Sequence, residues 1–221
     1  MSDRIDDVSG VEERPQGRRE WSGVLRSLVL PVLLVAAIVG VLLWYERVRD
    51  DGGDAGSSLY GIVELPPGFN MTGESPSSDA GRAAPDFLLT TPEGDELRLS
   101  DLRGSPVLVN FWASWCAPCR QEMPEIVRAY DRHAADGLVV VAVDLQENAG
   151  AVRGFADEFG MEFPIVIDKT GQVAEAWRIG GPVEGIPSSY FIGADGVVRS
   201  RHYGPLTEEQ LAESLAEILD E

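Results

Sequence analysis

Two cysteines occur in the 221 residues, three positions apart, as Cys116-Ala117-Pro118-Cys119. They follow an apolar run, Val107–Trp112, and precede a helical pattern. A thiol at a helix N-terminus meets unpaired N–H groups and the positive end of the macrodipole, which stabilise its thiolate. The second thiol lies inside the first turn, close enough to attack the first sulfur. Pro118 suits that turn, where its missing N–H costs nothing and its φ is preset. As a staple the pair is weak, since closing so short a loop contributes ~2 kcal/mol in the chain-entropy model. Zinc needs two more ligands, and His133 and His202 are the only histidines. The reading is a redox-active dithiol, with a metal site or an inert pair as alternatives; no cofactor and no metal is expected.

The elements that must hold this dithiol begin near Ala83. Phe87–Thr90 and Glu96–Leu99 read as short strands joined by a turn at Pro92-Glu93-Gly94-Asp95. Val107–Trp112, apolar except for Asn110, reads as a strand buried on both faces. A helix follows over Cys116–Ala135, then a strand over Leu138–Leu145, a helix over Ala149–Phe159 and a strand over Pro164–Ile167. Gln172–Trp177 is a short helix, and Ser189–Ile192 and Val197–His202 flank an Asp195-Gly196 hairpin signal. The chain closes with a helix over Thr207–Asp220, opened by Thr-Glu-Glu. Strand-helix alternation followed by a hairpin and a helix predicts a three-layer α/β domain with a mixed sheet.

The N-terminal third differs. Residues 1–26 form a polar tail, and from Ser27 to Tyr45 there is no charge. Eighteen apolar residues at ~1.5 Å each cover ~27 Å, so 27–45 is expected to be a single transmembrane anchor. Four arginines closely before it, Arg14, Arg18, Arg19 and Arg26, against Arg47 and Arg49 after it favour the N-terminus inside and the C-terminal domain extracytoplasmic. A cleaved signal is disfavoured, because its small-residue site would lie about ten residues past the apolar run. Residues 46–82, rich in Gly, Ser, Pro and Asp, read as a flexible linker to a domain over 83–221. The formal charge of −19 argues against nucleic-acid binding, which needs a basic face. Two cysteines exclude a disulfide-knotted scaffold.

Three strings carry a family resemblance: Ala84-Pro85-Asp86-Phe87, Leu99-Ser100-Asp101-Leu102-Arg103-Gly104, and Val107 through Arg120 with Glu122 and Pro124. Together they resemble the membrane-anchored thioredoxin-like proteins of the TlpA/ResA group over about 83–221. The resemblance implies a thioredoxin fold, here with an N-terminal β-hairpin extension, and thiol-disulfide exchange, often in cytochrome c maturation. It implies a cis-proline loop facing the dithiol, matched by Gly185-Ile186-Pro187-Ser188-Ser189. It also implies recharging by an integral-membrane thiol carrier of the DsbD/CcdA type. The segment Trp177–Val183 is longer than usual for the group.

Roles follow for particular residues. Cys116 is the attacking thiolate and Cys119 the resolving thiol, which needs a proton acceptor in a partly buried site. Thioredoxin places a buried aspartate in the preceding strand; Asn110 stands there and cannot accept a proton. Glu122, three residues beyond Cys119 on one helix face, is the expected replacement and matches the family's active-site glutamate; the alternative is a solvated carboxylate. Trp115 shapes the rim, with Trp112 equally well read as core. Ile186 and Pro187 offer the backbone edge to a substrate strand. Arg120 reads as a solvated charge, and Asp144, His133 and His202 receive no role. The leading function is a reductase of protein disulfides such as those of apocytochrome c. A disulfide-forming oxidase, a peroxidase and a copper chaperone are the alternatives.

Overall fold

The computed structural model describes residues 31–43, 60–180 and 185–220. The chain divides into two units, 1–54 and 55–221. In the first, α1 occupies residues 31–43 with every side chain exposed. The transmembrane expectation is overturned: among the described residues no helix is long and apolar enough to cross a membrane. The helix at 31–43 covers ~20 Å at ~1.5 Å per residue, against a hydrocarbon core of ~30 Å. The remaining ends of the expected span, 27–30 and 44–45, lie outside the described residues. The single-pass placement, N-terminus inside and domain outside, falls with it.

The second unit is built on a mixed eight-stranded sheet in the order β1-β2-β6-β5-β4-β7-β8, with β3 paired to β2. The strands are β1 (Gly61–Ile62), β2 (Phe87–Thr90), β3 (Glu96–Arg98), β4 (Val107–Trp112), β5 (Val139–Leu145), β6 (Ile165–Asp168), β7 (Ser188–Ile192) and β8 (Val198–Tyr203). The helices are α2 (Ala117–His133), α3 (Ala149–Phe159), α4 (Gln172–Ala176) and α5 (Glu208–Leu219). The central strands β4, β5 and β6 run parallel, while β7 and β2 join antiparallel at either side. Each parallel step is bridged by a helix, as such connections require.

β4 is buried along its whole length because both faces are covered. Leu108 and Trp112 point to one apolar cluster, with Met123 and Ile126 of α2, Phe155 of α3 and Leu215 of α5. Val107, Val109 and Phe111 point to the other, with Trp177, Tyr190 and Phe87. The same alternation puts Asn110 on the α2 side.

The stretch read as a linker over 46–82 packs onto the domain from Tyr60 onward. Gly61 and Ile62 pair with Leu88 and Phe87, Ser78 is fully buried, and Ala83 bridges Val197. Composition misleads here because backbone pairing and a small buried polar side chain, rather than an apolar run, mark the attachment. Asp86 holds the next corner, accepting from the Ser100 N–H at 2.9 Å and from Arg98 at 2.8 Å. Gly196 takes φ +74° in the β7–β8 hairpin, and a Cβ there would collide with the Arg103 guanidinium. A side chain there would be strained by the left-handed backbone and would displace that guanidinium.

Candidate active site

β4 ends at Trp112, the chain turns through 113–115, and α2 begins at Ala117. Cys116 is therefore the N-cap: its backbone is extended (φ −79°, ψ 104°) and its Sγ accepts from the Cys119 N–H at 3.2 Å. Pro118 lies in the first turn. Cys116 and Cys119 are joined as a disulfide. Cys116 keeps 4% of its surface exposed and Cys119 none, while Trp115 is 70% exposed. An incoming sulfur thus reaches Cys116 first, beside a bare indole.

Glu122 is 1% exposed, so the solvated-carboxylate alternative fails. Its Oε1 accepts from Asn110 Nδ2 at 2.8 Å and its Oε2 from the Leu206 N–H at 2.8 Å. Burial pushes its carboxyl up to about 7, although both hydrogen bonds oppose the shift. Both Cys119 and Glu122 are buried on the inner face of α2, three residues apart. Asn110 cannot take a proton, yet its amide orients the group that can, and also donates to Ser189 Oγ at 3.0 Å. That role was missed, as were those of Ser189 and Leu206: Asn110 and Leu206 reach Glu122, and Ser189 reaches Asn110, each from a separate strand or loop.

The Ile186–Pro187 bond is cis. Ile186 packs against the apolar cluster that contains both cysteines. The Pro187 carbonyl accepts from the Gly204 N–H at 2.9 Å, and the Gly185 carbonyl from Ser188 Oγ at 2.5 Å. The Pro187 carbonyl is thus already paired within the domain. Residues 181–183 of the longer preceding loop lie outside the described residues.

The other residues singled out by sequence are accounted for. Trp112 is fully buried, stacked 4.3 Å from Phe155, and is core. Arg120 pairs with Glu158 and lies over the Phe155 and Phe159 rings at 5.3 and 5.1 Å. His133 sits on Asp136 at 3.1 Å, at the opposite end of α2 from the cysteines, roughly 20 Å away by helix rise. Among the described residues no group of three or more potential ligands could hold a metal ion. Asp144 is fully buried at the end of β5, a position with more consequence than sequence gave it. An acid closing the apolar run Val139–Leu145 was the available signal.

A thioredoxin-like sheet with a Cys-x-x-Cys disulfide capping the helix after its central strand defines a thiol-disulfide oxidoreductase. Comparison with known proteins agrees: residues 80–201 match the AhpC/TSA family, to which the chain belongs. The thiol-disulfide oxidoreductase ResA of Geobacillus kaustophilus (strain HTA426) is 38% identical over 149 residues, covering 67% of this chain and 83% of that one. The thioredoxin-like protein YneN of Bacillus subtilis (strain 168) is 40% identical over 138 residues, covering 61% and 78%. A crystal structure of a thiol:disulfide interchange protein of the thioredoxin family from Chlorobium tepidum TLS superposes with a TM-score of 0.57. It is 28% identical, and the match covers 66% of this chain and 98% of that one.

Proposed function

We propose that the domain is a reductase of protein disulfides, with apocytochrome c as the substrate class. The observation that carries the direction is the charge around the dithiol. Glu122 is buried three residues beyond Cys119 on α2, Glu147 holds Ser114 two residues before Cys116, and Arg120, the cation of the first turn, is bound to Glu158. Oxidants of this chemistry draw their power from a stabilised reduced form. Acids beside the thiols disfavour the thiolate instead, which makes the couple a better electron donor.

In the reduced domain the Cys116 thiolate attacks one sulfur of the substrate disulfide. The other sulfur leaves as a thiolate and takes back from solvent the proton that Cys116 had released, and a mixed disulfide remains. Cys119 passes its proton to Glu122 and attacks Cys116 Sγ. The substrate departs as its second thiol, taking that proton, and the domain keeps the Cys116–Cys119 disulfide. Two electrons and two protons have moved to the substrate. A carboxyl held at about 7 accepts and returns a proton with little bias at neutral pH. Trp115 and the Ile186 backbone receive the substrate chain. A thiol carrier of the DsbD/CcdA type restores the dithiol.

The test is the reduction potential of the Cys116/Cys119 couple. A value at or below about −230 mV supports a reductase, whereas one near about −120 mV makes the domain a disulfide-forming oxidase and overturns the proposal. Glu122→Gln slows product release from the mixed disulfide at neutral pH; unchanged kinetics would remove Glu122 from the mechanism.

A further inference from the structure

The turn that presents Cys116 is tied down by a pair of acids that the exchange steps do not use. Ser114, two residues before Cys116, donates its backbone N–H at 2.5 Å and its hydroxyl at 2.6 Å to the two oxygens of Glu147. Asp144 aims Glu147 there, accepting the Glu147 N–H on Oδ1 at 3.0 Å. The turn between them forces Gln146 to φ +63°, a left-handed conformation unfavourable for a residue with a Cβ. Asp144 is fully buried and lies in register with Trp112, the last residue of β4.

The charged groups acting on Asp144 are acids: Glu147 in the turn and Asp168 at the end of β6. On α2 the buried acid is Glu122, and on α3 the charged residues Arg153, Asp157 and Glu158 are exposed. Burial, then the neighbouring Glu147 carboxyl, pushes the Asp144 carboxyl up to about 8. Glu147 is held below its ordinary value: desolvation opposes this, but the two hydrogen bonds from Ser114 and the neighbouring Asp144 carboxyl outweigh it. At neutral pH the pair therefore carries one proton, on Asp144, and one negative charge, on Glu147.

We propose that Asp144 and Glu147 are positioning residues of the exchange. The singly protonated pair clamps Ser114, and with it the turn that presents Cys116; loss of the proton puts a second charge beside that turn and slows the thiol. The inference rests on Cys116 being the attacking thiolate, and its test keeps the two claims apart.

The measurement is the rate of iodoacetamide alkylation of Cys116 in the reduced full chain between pH 5 and 10, with the modified residue located by mass spectrometry. The wild-type profile bends downward near pH 8 from simple thiolate formation. Asp144→Asn keeps the Oδ1 acceptor for the Glu147 N–H but has no proton to lose, so the bend disappears. In Glu147→Gln the side-chain carbonyl still accepts the Ser114 N–H, and its amide donates to the turned hydroxyl, so mainly the charge is lost. Removing a unit charge from the turn that carries the thiol favours the thiolate, so alkylation at pH 7 rises several-fold. A bend that survives in Asp144→Asn, or a Glu147→Gln profile that superposes on wild type, overturns the proposal and leaves the Cys116 assignment intact. Alkylation of Cys119 ahead of Cys116 in the wild type overturns both.

Discussion

Glu122→Gln has a consequence that follows directly from burial. The side chain is 1% exposed, and its carboxyl is raised from 4.5 to about 7, chiefly by desolvation. The folded state thus holds its proton to a higher pH than the unfolded chain does. Stability from this group is fully present below about 4.5 and is lost as pH rises through about 7. A shift of about 2.5 units at ~1.36 kcal/mol per unit makes that loss about 3 kcal/mol. Glutamine has no such loss. Its fixed cost is one acceptor, since a carboxylate serves both the Asn110 amide and the Leu206 N–H while glutamine serves one. Asn110 Oδ1 is buried without a partner, so a turned Asn110 amide recovers part of that cost by accepting from the new side chain. The fixed term does not vary with pH. Urea unfolding of the oxidised full chain at several pH values from 4 to 8 separates the two. The variant should gain about 3 kcal/mol on wild type across that range. A difference flat to within about 1 kcal/mol would refute the burial argument, and with it the case for Glu122 as proton acceptor.

Three other substitutions test the site and its supports. Cys119→Ser removes the second attack, so a mixed disulfide through Cys116 should accumulate with a disulfide substrate on non-reducing mass spectrometry; multiple turnover without it contradicts the assigned order. Asp86→Ala strips acceptors from Ser100 and Arg98 at a fully buried side chain, at a cost of about 3 kcal/mol in denaturant unfolding; a loss under about 1 kcal/mol means the corner is held otherwise. Phe155→Ala removes the ring between Trp112 at 4.3 Å and Phe159 at 4.5 Å, and should cost about 3–5 kcal/mol. A thermal midpoint unmoved by that change would show that the surrounding rings close the gap.

Local pattern carried the central elements. Val107–Trp112 and Ala149–Phe159 fall where periodicity places them, because a doubly buried strand and an amphipathic helix each write their environment into consecutive residues. β1 was invisible: Gly61–Ile62 is too short for any period and is attached by backbone pairing to β2. The apolar run at 28–45 has the composition of a spanning helix, yet among the described residues no helix is long and apolar enough to cross a membrane. At the site, Cys116, Cys119 and Glu122 were legible because one helix carries all three at fixed spacing. Asn110, Leu206, Ser114, Asp144 and Glu147 were not, since their hydrogen bonds join residues from 3 to 84 positions apart. Long-range geometry of that kind leaves little trace in sequence order.

Peroxide is the competing oxidant to weigh, because the Ala84-Pro85-Asp86-Phe87 opening is shared with peroxiredoxin-like proteins. A thiolate that cleaves an O–O bond quickly needs donors aimed at the departing oxygen. Position 113, where such proteins are expected to carry threonine, is a buried alanine whose methyl donates nothing. The neighbouring Ser114 hydroxyl is committed to Glu147, and the Arg120 guanidinium to Glu158. Asp86, the acid of the shared opening, is occupied by Ser100 and Arg98. The reduced chain should therefore consume hydrogen peroxide no faster than a free thiol of the same pKa, followed as loss of titratable thiol under anaerobic mixing. Acceleration by a factor of about 100 or more is what a single well-placed donor supplies. Observing it would mean that Ser114 or Arg120 leaves its present partner in the reduced state; if Ser114 does, the acid clamp on the Cys116 turn would have to be abandoned.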